Sequence, residues 1–485
     1  MPFNSIEYII FLILTTLGFF ITPHRARWLW LLAASSYFYS QSSILYLGIF
    51  ILILVFNYFA SLQLGKRAGH GKKRVFIITI LINIAILAFF KYSGAFDSIL
   101  EDLSTWDDSF FAYIAFPLGI SYFVFTLLAY LIELKRGKIE AEKHPGIFLS
   151  SFMFFPKIAQ GPIERPGNIM PQFRERHNFS LDRTVSALKL IVWGLFKKLV
   201  IADRLAIYVN TVYNNHDYHN GTSLMVATIF YSFQIYADFS AYTDIAIGSG
   251  RLMGFELSKN FNRPYFAASI KEFWNRWHIS FSLWLRDYLF LPLAYWFAGK
   301  FRGLSDFTRA VEKLIYALAI IITFFICGLW HGEGLNYIVW GLLFGVGLTF
   351  ANYTRSLGRK LRKRAGISRK SVALKAFNVL ITFAFVSFAW IFFRSENIYM
   401  AGEIVGKVTT QHGSMFTGKP SDIIFSVTGI VVLLGVELRQ ELKTGSHLPF
   451  ESGRWLPEQL FYAVLIVLIL VLGVFDGGQF IYFQF

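Results

Sequence analysis

The amino-acid sequence predicts an all-α, multi-pass membrane protein of about ten to twelve transmembrane helices, with re-entrant or interfacial helices among them. Three observations carry that prediction. Of 485 residues, 55% are hydrophobic and 16% are charged, whereas a soluble chain carries closer to a quarter charged residues. The apolar residues fall in runs near the length a helix needs to cross roughly 30 Å of hydrocarbon. Lys and Arg gather in short blocks between the runs, as in positively biased cytoplasmic loops. That bias accounts for the formal net charge of +16. The basic blocks have no zinc or nucleic-acid signature beside them, so no nucleic-acid partner is expected. Cys327 is the single cysteine, which excludes an intramolecular disulfide and any cysteine cluster for zinc or iron–sulfur.

The chain reads as one integral-membrane domain over 1–485, with N-terminal spans in 1–134, an irregular middle in 135–310 and C-terminal spans in 311–485. Residues 6–21 lack a basic n-region and a small-residue cleavage site, and they precede Arg25 and Arg27, so they form a retained first span. Further runs cover 28–40, 44–64, 75–90 and 110–134. The loops at 25–27, 66–74 and 135–143 are basic, and 97–108 holds five acidic residues with no Lys or Arg. These alternate if the N-terminus lies outside.

In the middle third, residues 147–158 are apolar but too short to span and end among Pro156, Gly161, Pro162 and Pro166, which suits a re-entrant or interfacial piece. Residues 186–209 carry Lys189, Lys197, Lys198, Asp203 and Arg204. They fit either an amphipathic helix with snorkelling lysines or a true span. The run 225–247 is interrupted by Gln234, Asp238 and Asp244, the first two four apart and on one helix face with Tyr231 and Tyr242. This polar stripe should face inward, as a structural hydrogen-bond network or as a substrate lining. Residues 271–288 are dense in Trp and Arg, a boundary composition, and helical spacing puts Trp274, His278 and Leu285 on one side.

From residue 314 the pattern is regular again. One run reaches Trp330, a tight turn follows, and a second run covers 337–350. Eight Lys or Arg between 355 and 370 form the strongest cytoplasmic marker, and such a tract is attracted to anionic lipid. Runs at 372–393, 423–436 and 461–474 complete the chain before the aromatic tail at 480–485.

His331 closes one apolar run just before another, a costly place for a polar group. Loop charge puts it toward the outer end of its span and puts His278 on the cytoplasmic side. Two histidines along a polar path suit group transfer through the protein. A neutral imidazole takes the proton of a hydroxyl as it attacks a thioester carbonyl, and desolvation keeps a histidine neutral. Glu333, Asp238 and Asp287 are the carboxylates available as partners. Cys327, one turn before His331, is a small buried residue or an acyl carrier. No Walker loop, dinucleotide glycine fingerprint, HExxH or GxSxG is present.

The segments Arg276-Trp277-His278-Ile279-Ser280, Trp284-Leu285-Arg286-Asp287-Tyr288 and Gly328-Leu329-Trp330-His331-Gly332 resemble the two histidine motifs of the membrane-bound O-acyltransferase family. Gln160-Gly161-Pro162-Ile163-Glu164-Arg165, Asp238 to Asp244, Asn260 to Tyr265 and the Phe-Gln-Phe terminus resemble its alginate O-acetyltransferase branch. Ala241 stands where a glycine is common there, and Glu333 follows the histidine motif. The resemblance implies cytoplasmic and external funnels, with His331 as the catalytic histidine and His278 as the second. Trp330, Asn275, Arg276, Asp287, Asp238 and Gln234 are the candidate substrate-binding residues.

It further implies cytosolic acetyl-coenzyme A as acyl donor, with no tightly bound cofactor and no metal. The acceptor it implies is an extracytoplasmic polysaccharide such as alginate, cellulose or peptidoglycan, reached through a periplasmic or surface partner protein. The location would be the bacterial cytoplasmic (inner) membrane, among its lipids. Two other classes remain open at this stage: D-alanyl or other acyl transfer to a cell-wall polymer, and a transporter with a His/Asp path.

Overall fold

A computed structural model describes residues 1–92, 117–158, 161–301, 309–368, 371–443, 448–451 and 453–475. Every regular element among them is helical. The acidic stretch at 97–108, Gln160, Arg369, Lys370 and the aromatic tail at 480–485 lie outside the described residues. Contacts divide the chain into two compact units, the first comprising Met1–Leu195 and Tyr242–Lys259, the second Phe196–Ala241 and Asn260–Ile481.

In the first unit, α1 (Ile6–Ile21) starts where the Ser5 side chain accepts the Tyr8 N–H, a standard N-cap. Helix α2 (Arg27–Ser40) has 14 residues, about 21 Å, too short to span alone. Helices α3 (Ile44–Lys66) and α4 (Gly69–Lys91) are long enough. They are joined by reciprocal amide bonds between the buried Asn57 and Asn83, at 3.1 and 2.9 Å. Such pairs hold helices together where lipid offers no hydrophobic drive. Helix α5 (Ile120–Lys135) is buried on nearly all sides, as expected of a helix apolar all round.

The expected short piece at 147–158 is two helices, α6 (Pro145–Met153) and α7 (Phe155–Ile158). Beyond them the buried Glu164 accepts hydrogen bonds from the Ser258 N–H, from the Ser258 hydroxyl at 3.0 Å and from Asn168 at 2.9 Å.

Helix α8 (Leu181–Phe196) runs through a π-helical turn, Lys197–Ala202, into α9 (Asp203–Tyr213). The lysines of this turn do not snorkel. Lys197 and Lys198 are 3% and 1% exposed. Lys198 Nζ lies 2.8 Å from Asp203 and 2.9 Å from Asp238, and Lys197 donates to the Ser240 hydroxyl at 2.7 Å. The Lys198 ammonium is thus held by interior carboxylates and not at the interface. Removing one member of such a buried set costs about 3–5 kcal/mol.

Helix α10 (Gly221–Leu252) contributes its residues up to Ala241 to the second unit and the rest to the first. Its predicted stripe is indeed interior, with Tyr231, Gln234, Asp238 and Tyr242 all buried. The second unit continues through α11 (Ile270–Arg276), α12 (Ile279–Leu285), a π turn at Arg286–Phe290 and α13 (Leu291–Phe301). It then runs through α14 (Arg309–His331), α15 (Leu335–Arg364), α16 (Val372–Arg394), α17 (Ile398–Thr410), α18 (Pro420–Leu442) and α19 (Trp455–Leu472). Among the described residues, α3, α4, α14, α15, α16, α18 and α19 are the seven helices long and apolar enough to cross a membrane, and α1 is a shorter apolar helix. The chain is a multi-pass integral membrane protein.

Candidate active site

Helical spacing alone would carry Trp274, His278 and Leu285 along one face, but the chain breaks between α11 and α12. Trp277 is extended, and His278 takes a left-handed backbone at φ 41°. Such a conformation is uncommon outside glycine, although His is among the residues enriched there. Neighbouring backbone holds it. The Asn262 N–H donates to the Arg276 carbonyl at 2.9 Å, and the Ile279 N–H to the Asn260 carbonyl at 2.8 Å.

The Asn260 side chain then fixes the imidazole. Its Oδ1 accepts the Ser280 N–H at 3.3 Å and the Ser280 hydroxyl at 2.9 Å, and lies 2.9 Å from His278 Nδ1. Because a backbone N–H can only donate, that oxygen is an acceptor, and the His278 Nδ1 must carry the proton. Burial holds the His278 imidazole down at about 3, well below its ordinary value. The neutral ring therefore keeps its basic lone pair on Nε2.

His331 is the last residue of α14. Gly328 and Gly341 bring α14 and α15 into close backbone approach. A Cβ on Gly328 would meet the Tyr337 carbonyl oxygen at 2.4 Å, and one on Gly341 the Phe324 carbonyl oxygen at 2.2 Å. Asn336 pins the turn by donating to the Phe392 and Ser395 carbonyls at 3.1 and 2.8 Å. This delivers Phe393 to the buried His331 ring, with centroids 5.0 Å apart; Trp340 stands at 4.8 Å and Trp330 at 4.4 Å.

One phenyl ring joins the two histidines. Phe281 stacks on His278 at 5.0 Å, packs on Trp330 at 4.6 Å and meets His331 edge-on at 6.5 Å. Phe239, next to Asp238 on α10, closes the other side of His278 at 4.8 Å. The sequence places the histidines toward opposite sides of the membrane; in the fold they share one aromatic partition.

The remaining candidates divide. Trp330 is part of this partition. Gln234 is buried, and its Oε1 has no hydrogen-bond partner among the described residues. Asp238 is paired with Lys198. Arg276 clamps the loop instead: its guanidinium donates to the Arg263 carbonyl, to Glu272 at 2.7 Å and to Glu441 at 2.9 and 3.1 Å. Asn275 lines a cavity of about 300 Å³ with Lys271, Trp274, Arg286 and Phe324. Asp287 is partly exposed and bonds to Arg286 at 2.8 Å. Glu333 lies in the turn after His331, and Cys327 is fully buried.

A profile of the membrane-bound O-acyltransferase family matches residues 31–365. The chain belongs to that family. A peptidoglycan O-acetyltransferase of Helicobacter pylori is 32% identical over 100% of this chain and 97% of its own length. A probable alginate O-acetylase of Pseudomonas aeruginosa is 32% identical over 83% of this chain and 73% of its own. A teichoic acid D-alanyltransferase of Bacillus subtilis is 30% identical over 58% and 69%. This membrane-bound O-acyltransferase thus surrounds its motif histidines with residues outside the candidate set, namely Asn260, Phe281, Trp340 and Phe393. Asn260 had a signal in its motif. The three aromatics had none, since rings are everywhere in this chain.

Proposed function

We propose that the protein transfers acetyl groups from cytosolic acetyl-coenzyme A, in the bacterial cytoplasmic membrane, for O-acetylation of an extracytoplasmic polysaccharide through a partner protein. The end-to-end similarity to a peptidoglycan O-acetyltransferase carries this reading and makes peptidoglycan the first acceptor to test.

In this reading the His331 imidazole takes the proton of the acceptor hydroxyl as its oxygen attacks the thioester carbonyl. The carbon–sulfur bond then breaks, and the imidazolium returns the proton to the departing thiolate. The surrounding rings of Phe281, Trp330, Trp340 and Phe393 exclude water and favour acyl transfer over hydrolysis. His278, fixed by Asn260, presents Nε2 as an acceptor to an amide N–H of the donor's pantetheine arm and so orients the thioester, and Gln234 with its buried oxygen offers a second acceptor. Asn275 and the cavity beside it offer room for the donor.

The test is reconstitution in proteoliposomes with acetyl-labelled acetyl-coenzyme A and a peptidoglycan acceptor. Coenzyme A release with label in alkali-labile esters is the expected result. Transport of a solute without thioester turnover, or turnover only with a D-alanyl carrier, would sink the proposal.

A further inference from the structure

A second concavity, of about 540 Å³, lies on α14 and α15 away from the histidines, and its rim is cationic. Arg309 and Lys313 come from α14, and Arg355 and Arg359 from α15, with Tyr353 between them. No carboxylate lines it, and among the described residues none forms an ion pair with any of the four cations. Glu312, on the same helix, is exposed. Lys313 Nζ sits 5.0 Å from the Tyr353 ring centroid. Arg309 opens α14, so the positive end of the helix dipole reinforces the cations. Four cations with no ion-pair partner among the described residues crowd one hollow, and the arrangement calls for an anion.

Position selects the anion. Helix α14 runs from Arg309 to His331, and at 1.5 Å per residue its ends are roughly 33 Å apart, about the full hydrocarbon thickness. A donor seated here by its phosphates would have to reach across the bilayer to react at His331; this step alone rests on His331 as the reaction centre. The membrane-ward neighbours of the cluster are instead lipid-like in preference. Leu314, Val346 and Phe350 are 42%, 55% and 68% exposed, and Tyr353 is of the residue type that aromatic belts place at the membrane–water boundary.

We infer that this concavity on α14 and α15 is a headgroup site for an anionic phospholipid of the cytoplasmic leaflet. Arg309, Lys313, Arg355 and Arg359 hold the phosphate, and the acyl chains lie along Leu314, Val346 and Phe350. The site anchors the helix that ends in His331 at its opposite terminus.

The test places the full-length protein in phosphatidylcholine nanodiscs with a trace of spin-labelled phosphatidylglycerol or spin-labelled phosphatidylcholine, and measures the relative association of the two labels. The wild type should prefer phosphatidylglycerol. In Arg355→Gln/Arg359→Gln that preference should fall by roughly 10-fold, while Lys363→Gln/Arg364→Gln, equal in charge removed but outside the hollow, should keep most of it. Equal losses in both double variants would mean diffuse attraction and overturn the site. So would displacement of the labelled lipid by free coenzyme A, which would make the hollow a nucleotide site. If the first double variant is unstable in phosphatidylcholine alone, Arg359→Gln by itself repeats the test.

Discussion

The two histidines are built by opposite means. His278 stands in a break of the chain, in a left-handed conformation, with its tautomer set by the oxygen of Asn260. His331 stands at the end of an uninterrupted 23-residue helix, and its position is set by the rings of Trp330, Trp340 and Phe393. A hydrogen-bonded imidazole is fixed in both orientation and protonation. Ring contacts fix the place of an imidazole by shape, as those of Trp330, Trp340 and Phe393 do for His331. The roles proposed above, positioning for His278 and proton transfer for His331, can be tested through this contrast.

The sharpest way to break that contrast is to remove each ring. His331→Ala should lower acetyl transfer by about 10² to 10⁴-fold, the usual worth of a general base, with an unchanged unfolding midpoint. A residual rate within tenfold of wild type would assign the base elsewhere. Asn260→Ala leaves His278 present but unfixed, and a misplaced group costs up to about 10²-fold. Its loss should match that of His278→Gln and not add to it, measured as kcat and as the KM for the donor. Additive losses would mean that the two act independently. Phe281→Leu keeps apolar volume but removes the shared ring. A fall of about tenfold, with the His278→Gln penalty reduced in the double variant, would show that the ring couples the two sites.

The smallest effect is on stability. The His278 value is depressed in the fold, so its contribution is complete above the unfolded value of 6.5 and is lost as pH falls toward 3. Thermal midpoints followed from neutral to acid pH should fall more steeply for wild type than for His278→Gln. Parallel curves would mean that the imidazole is less desolvated than its surroundings indicate.

Much of this was legible from one dimension. Hydropathy located α3, α4 and α14, because a bilayer demands a run of fixed length whatever the tertiary packing. The spacing of Gln234 and Asp238 revealed an interior face, since helical periodicity survives folding intact. Lys197 and Lys198 were ambiguous, because the carboxylate that decides their place, Asp238, lies forty residues from Lys198 along the chain. The break at His278 was illegible for a related reason. It is imposed by backbone pairing with residues 260–262, and no local propensity announces it. Arg276 sits in a histidine motif, yet its guanidinium bonds to Glu441 of a distant helix.

The π turn at Lys197–Ala202 holds one residue more than an α turn in the same rise. Everything beyond it is therefore rotated by about 100° relative to an unbroken helix. Deleting a single residue there would restore an ordinary helix and turn the lysines away from Asp238, although no side chain of the buried set had been altered. A one-residue gap at this point in a related sequence would thus mark a protein whose interior charges are arranged differently.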